Sequence, residues 1–92
     1  MPRVTIELPG MLAMVVEGRT RLELDADTLQ GVFDALARAH PALAQRLFDE
    51  RGRLRQHVLC FLNETNTRWL ADASAAVQAG DTVSFLQAVS GG

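Results

Sequence analysis

A single segment of this 92-residue chain has the apolar spacing of a long amphipathic helix. It follows Thr28 or Asp27, either of which suits a helix N-cap, and it ends before Pro41. Since one such helix can cover only one face of one sheet, the sequence predicts a two-layer α+β domain. The apolar stripe of the helix consists of Leu29, Val32, Phe33, Leu36 and Ala37.

Short segments with the pattern of β-strands flank this helix, most of them alternating and Val58–Leu62 a continuous apolar run rich in β-forming residues. The segments are residues 3–8, 21–24, Val58–Leu62 and Thr82–Gln87, with residues 68–70 as a candidate further strand. Residues 9–20 are predicted to be a connecting loop, residues 63–66 a turn, and residues 71–79 to hold one helical turn. The element order is β-β-α-β-(β)-β, which favours a first and a last strand that lie side by side in parallel.

The alternation in the two later strands leaves three large apolar residues on the sheet face away from the helix. If the helix covers the other face of Val58–Leu62 and Thr82–Gln87, these residues form a small apolar patch, which is typical of a partner-binding surface. The alternative is that residues 11–16 or 71–79 fold over this face. The three residues are Leu59, Phe61 and Leu86.

Composition limits the chemistry that the side chains can perform. Nine basic residues, all of them Arg, against 11 acidic residues give a net charge of −2, which argues against a nucleic-acid binder. The longest apolar run, residues 11–16, is too short for a membrane span. The single cysteine, Cys60, excludes an intrachain disulfide, and His40 and His57 lack metal-ligand spacing. We predict a cytoplasmic protein without a metal site or a catalytic side chain.

The chain ends in Gly91-Gly92, two residues without a Cβ. Two such residues make a thin and pliable tail that can enter a narrow tunnel. What this tail would deliver is a terminal carboxylate, which must be activated, for example by ATP as an acyl-adenylate. The alternative is a loose chain end or a cloning remnant without a function.

Several motifs resemble those of the ubiquitin-like sulfur carriers of the MoaD/ThiS family. The C-terminal motif is Gly80-Asp81-x-Val83-x-Phe85, followed by Ala88-Val89-Ser90-Gly91-Gly92. Shorter matches are Thr28-Leu29, Arg46-Leu47, Gly52-x-Leu54, Asn63-Glu64 and Arg68. The resemblance covers most of the chain, most specifically residues 43–92, and implies a β-grasp fold. We therefore expect one mixed sheet of four to five strands packed on one main helix over residues 1–87, with a flexible tail over residues 88–92.

The resemblance implies a carrier rather than an enzyme. An E1-like adenylyltransferase would use ATP and magnesium to adenylate the carboxylate of Gly92, and a sulfur donor would convert it to a thiocarboxylate. A downstream enzyme would then use that group as a source of sulfide. In this scheme Val89, Ser90 and Gly91 form the tail that enters the activating site, and the carrier itself binds no cofactor.

The pathway and the class of carrier stay open at this point. The matches at Arg46-Leu47 and Asn63-Glu64 are closer to the cysteine-biosynthesis, CysO-like branch, which pairs with a cysteine-synthase-like enzyme and a metalloprotease. The alternatives are the molybdopterin synthase small subunit, which serves the large subunit of that enzyme in molybdenum cofactor biosynthesis, and a ubiquitin-like modifier conjugated to lysines through Gly92. A plain β-grasp interaction module with an irrelevant tail is a further class.

Overall fold

The computed structural model describes residues 1–67 and 75–87 of the chain. The main helix and the longer strands follow one another along these two ranges in the order that the sequence predicts, and shorter elements lie between them. The elements are β1 (Arg3–Glu7), α1 (Gly10–Ala13), a 3₁₀ turn (Met14–Val16), β2 (Arg21–Asp25), α2 (Leu29–Ala39), α3 (Pro41–Leu47), β3 (Val58–Leu62), β4 (Thr65–Asn66) and β5 (Thr82–Gln87).

The five strands form one mixed sheet in the order β2-β1-β5-β3-β4. β1 and β5 are parallel neighbours at its centre, and the register pairs Ile6 with Val83. β1 with β2, β5 with β3, and β3 with β4 are antiparallel pairs. The predicted parallel contact between the first and last strands, and the predicted mixed sheet, are confirmed.

The core lies between one face of this sheet and α2. Alternate residues of β1, β3 and β5 point into it, and the predicted stripe of α2 covers them. The rings of Phe33, Phe48 and Phe85 contact one another there, with the centroids of Phe33 and Phe48 4.8 Å apart. Ala37 is exposed, because it lies at the edge of the apolar stripe. The most deeply buried side chains include Val4, Ile6, Val32, Leu36, Val58, Cys60, Val83 and Phe85.

The sequence predicts a connecting loop over residues 9–20. This prediction is wrong for residues 10–16, which α1 and the 3₁₀ turn occupy. Leu12, Ala13 and Val16 are buried in the core that α2 also covers, and the 3₁₀ turn contacts α3. The segment ends where Glu17 takes a left-handed conformation at φ 61°. Residues 11–16 therefore pack on the helical side of the sheet, and the idea that they cover the opposite face is wrong.

The region after β3 differs from the predicted turn over residues 63–66. Asn63 turns the chain at φ 55°, and Thr65 and Asn66 already form β4, paired with Leu62 and Phe61. The candidate strand at residues 68–70 lies outside the described residues, as do residues 71–74 of the predicted helical turn. Residues 75–79 are not helical, and Ala76 instead forms an isolated bridge with Thr28.

Both ends of α2 follow the sequence signals. The Thr28 hydroxyl accepts a hydrogen bond from the backbone N–H of Gly31 at 3.0 Å, which confirms Thr28 as the N-cap. His40 leaves the helical region before Pro41, and Pro41 then begins α3, a position that suits a residue without an N–H. α3 extends over seven residues, Pro41–Leu47, and buries Leu43 and Leu47, which lie four residues apart on one side of the helix.

Cys60 lies on the helix-facing side of β3 and is 1% exposed. Burial raises the pKa of its thiol to about 12, against a smaller opposing effect of a hydrogen bond with Thr67. A thiol of this kind is protonated at neutral pH and is a poor nucleophile. Cys60 is therefore a buried apolar residue of the core.

Loss of the α2 cap should destabilise the fold. Thr28→Ala leaves the Gly31 N–H without its acceptor, and we expect the free energy of unfolding to fall by about 1 kcal/mol. Urea unfolding followed by circular dichroism measures the effect. Thr28→Ser keeps the hydroxyl and is the matched control, and equal midpoints for the two variants would contradict the capping role.

The Cys60 thiol should react slowly while the protein is folded. A rise of its pKa from 9.0 to about 12 leaves about a thousandfold less thiolate at pH 8, and burial also blocks the reagent. From this difference in thiolate fraction, we expect a thiol-reactive dye to label the protein about a hundredfold or more slower in buffer than in concentrated urea. Since the chain has one cysteine, the signal has a single source. Equal labelling rates would show that the thiol is accessible.

Candidate functional site

The tail predicted to carry the chemistry begins where the described residues end. Val89, Ser90, Gly91 and Gly92 lie outside the described residues. The strand that leads to them, β5, is described up to Gln87 and is the third of the five strands. Because Gln87 pairs with Val58 of β3, the point from which the tail starts has a defined position on the sheet.

β5 continues beyond β1 at its carboxyl end. The register pairs Glu7, the last residue of β1, with Ser84 of β5. Residues 85–87 therefore extend further along the sheet beside β3, where Val58 lies opposite Gln87. Gln87, the residue before the tail and here called the base of the tail, is thus paired with β3 at a level of the sheet that lies beyond the end of β1.

The length of the tail limits where its chemistry can take place. Five residues span at most about 18 Å even when they are fully extended. An enzyme that acts on the carboxylate of Gly92 must therefore bring its active site within this distance of Gln87. Such an enzyme would have to contact this protein around the carboxyl end of β5.

The three residues of the predicted patch lie together on the sheet face away from α2. Leu59 and Leu86 are directly opposite each other in the β3–β5 pair, and Phe61 follows on the same face opposite Ser84. Leu86 is 45% exposed, whereas Leu59 and Phe61 are partly buried. The predicted shared face is confirmed, and the binding role of this apolar patch stays a prediction.

The other half of the same face is charged. Arg3 of β1 contacts Glu23 at 3.1 Å and Asp25 at 3.4 Å, both on β2, and Arg21 of β2 lies 4.0 Å from Glu7. Their side chains are 48–70% exposed, so each pair adds little to stability. The face is thus divided into a charged half on β1 and β2 and an apolar patch on β3 and β5.

A second apolar feature, which alternation did not predict, lies on α1 and the 3₁₀ turn. Met11 is 75% exposed and Met14 is 77% exposed, while Leu12 and Ala13 between them are buried. The two methionines are three residues apart, which places them on one side of a helical turn. Their spacing is visible in the sequence, but the unbroken apolar run of residues 11–16 conceals which side is outward.

Neither a group of metal-binding side chains nor a membrane-spanning helix occurs in the described part of the chain. Within residues 1–67 and 75–87, His, Cys, Asp and Glu side chains form no group of three or more that suits a metal ion. In the same ranges no helix has the length and apolar character needed to cross a membrane.

Comparison with known proteins identifies relatives along almost the whole chain. Residues 6–92 match the ThiS family. The chain is 30% identical over 91 residues to the sulfur carrier protein CysO of Mycobacterium tuberculosis, covering 97% of this chain and 98% of that protein. It is 39% identical over 83 residues to the small archaeal modifier protein 1 of Haloferax volcanii, covering 88% of this chain and 91% of that protein.

A solved structure is similar to this chain in fold as well as in sequence. A chain in the crystal structure of the Amycolatopsis orientalis BexX/CysO complex superposes with a TM-score of 0.84 at 28% identity, covering 97% of this chain and 99% of that one. The predicted β-grasp fold and the predicted similarity to CysO-like carriers are confirmed. Together with the match over residues 6–92, these relatives show that the chain belongs to the ThiS family of small sulfur carriers and ubiquitin-like modifiers.

Proposed function

We propose that this protein is a sulfur carrier whose reactive group is the C-terminal carboxylate of Gly92. The observation that carries the proposal is the extent of the family match, which includes β5 and continues through Gly91-Gly92 to residue 92. The buried and protonated state of Cys60 agrees with it, because the single thiol of the chain is not available for sulfur transfer.

The proposed chemistry takes place in two steps. An E1-like adenylyltransferase catalyses attack of the Gly92 carboxylate on ATP in the presence of magnesium, which releases pyrophosphate and forms an acyl-adenylate. A sulfur donor then supplies a hydrosulfide equivalent that displaces AMP and leaves a thiocarboxylate. Gly91 and Gly92 offer no side chain to obstruct a narrow active site, and their flexibility lets the carboxylate turn into position.

We propose cysteine or another sulfur-containing metabolite as the product of the pathway. Similarity to the sulfur carrier CysO over 97% of the chain supports this branch, with a cysteine-synthase-like enzyme as acceptor and a metalloprotease that trims the product. Molybdenum cofactor biosynthesis ranks second, since Gln87 and Ala88 stand where molybdopterin synthase small subunits often have paired prolines.

The apolar patch on β3 and β5 is our proposed contact with the activating enzyme. It includes Leu86, which only Gln87 separates from the tail, so an enzyme that covers Leu86 has Gly92 within reach. The CysO of the Amycolatopsis orientalis structure is itself found in a complex with BexX, which supports a docking role for this scaffold. Exposed apolar side chains in such a patch lose water contact on binding, which favours association.

A protein modifier is the second function that a specific observation favours. The chain is 39% identical to the small archaeal modifier protein 1, and an activated Gly92 carboxylate reacts with a lysine amine as readily in principle as with sulfide. Mass spectrometry of the protein from its native host separates the two. A thiocarboxylate supports the carrier, whereas alkali-stable adducts on other proteins that require Gly92 support the modifier.

Gly91→Val should abolish thiocarboxylate formation without unfolding the protein. A β-branched side chain widens and stiffens the tail just before the reacting carboxylate. The measurement is intact mass after incubation with the host's adenylyltransferase, ATP and sulfide, where wild type gains one sulfur in exchange for oxygen. Ala37→Val at an exposed position of α2 is the control. A Gly91→Val protein that still gains sulfur would contradict the tunnel argument.

Leu86→Glu should weaken binding of the activating enzyme by about tenfold or more, since it places a charge in the contact. The side chain is 45% exposed, so the fold should survive the change. Titration calorimetry against the host's adenylyltransferase measures the Kd, with Ala37→Glu as a charge-matched control outside the patch. Equal affinities for the two variants would remove Leu86 from the interface.

A further inference from the structure

The outward side of α1 and the 3₁₀ turn is an apolar surface without a neighbour among the described residues. Met11 and Met14 are 75% and 77% exposed, whereas Leu12, Ala13 and Val16 of the same segment are in the core. Burial on one side therefore fixes the segment on the sheet and directs the two methionines outward. Methionine is flexible and polarisable and is used at binding surfaces that must adapt to a partner. Met11 and Met14 are called the methionine pair below.

The register of the sheet places the methionine pair at the same end as the tail. β1 and β5 are parallel, so the chain leaves both strands in the same direction. From Glu7 it passes within three residues to Gly10, the start of α1, and β5 continues for three residues beyond the level of Glu7 to Gln87. The methionine pair and the base of the tail therefore share one end of the molecule.

This end of the sheet has apolar side chains on both of its sides. Leu59 and Leu86 lie on the face away from α2, whereas α1 packs into the core on the helical side. β5 ends at Gln87, between these two layers. A protein that takes up the tail within its reach of about 18 Å must approach this end, where the methionine pair and the apolar patch are both accessible.

We propose that the methionine pair is a second contact for the ATP-dependent enzyme that activates Gly92, on the opposite side of the sheet from Leu59 and Leu86. The inference rests on the proposed function, because it assigns the partner from the position of the reactive tail. With a contact on each side of β5, the enzyme fixes the direction of the tail as well as its position. This selects carriers whose tail is aligned with the active site.

Methionine oxidation tests the proposal, because the chain has three methionines and all are exposed. Met1 is 86% exposed and lies before β1, at the other end of the strand, so it is an internal control. The free carrier and its complex with the host's purified E1-like adenylyltransferase are treated with dilute hydrogen peroxide, and sulfoxide is located by peptide mass spectrometry. We expect oxidation of Met11 and Met14 to slow about fivefold or more in the complex, with Met1 unchanged.

Two other outcomes of the oxidation experiment would overturn the proposal. If all three methionines oxidise equally fast in the complex, the enzyme does not cover the pair. If the pair is already protected in the free carrier, and deletion of residues 88–92 removes this protection, the occupant is the tail of the same chain and not the enzyme.

A kinetic measurement separates this surface from the carrier function itself. ATP–pyrophosphate exchange reports adenylation of Gly92 directly, and Met11→Gln/Met14→Gln should raise the KM for the carrier about tenfold with little change in kcat. Ala37→Gln, exposed on α2, is the control. A double variant with the wild-type KM overturns the methionine contact but leaves the carrier intact. Absence of exchange with the wild-type protein instead overturns the proposed function.

Discussion

The parallel pairing of β1 with β5 is the constraint on which the rest of this structure depends. It joins residues 5–7 to residues 82–84 across nearly the whole sequence and places the last strand in the middle of the sheet. β5 has a neighbour on both sides at residues 83–84 and is paired with β3 as far as Gln87. The tail therefore starts from a residue with a defined place in the sheet, and its five residues can reach at most about 18 Å from it. The same parallel pairing places α1 and Gln87 at one end of the sheet.

The longer helices and strands could be predicted from the sequence because their hydrophobic pattern is clear, whereas the short ones could not. The stripe of α2, the apolar run of Val58–Leu62 and the alternation of Thr82–Gln87 determine both the type of each element and its bounds, because each buries one side. Three of the four residues of α1 lie within the unbroken apolar run of residues 11–16, so no period is visible. β4 has two residues, and its existence depends on the left-handed turn at Asn63, which propensity alone does not require.

The candidate site divides in the same way between what could and could not be predicted. The shared face of Leu59, Phe61 and Leu86 was predictable, since residues adjacent to them in the strands point to the other face, into the core. Met11 and Met14 were not, because the sequence does not show which side of α1 the sheet covers. The proposed role of Gly92 rests on resemblance to a family and not on spacing, since a pair of terminal glycines has the same local physics with or without a function.

The lysine-free composition bears on the proposed activation of the Gly92 carboxylate. An acyl-adenylate can be attacked by amines and thiols, including any that its own carrier holds. All nine basic residues of this chain are Arg, whose guanidinium remains protonated and does not attack an acyl group. The single thiol is buried, with a pKa of about 12. Under the proposed function, neither a lysine amine nor the thiol of this chain would compete for the activated tail, so the nucleophile that the partner supplies would decide the product.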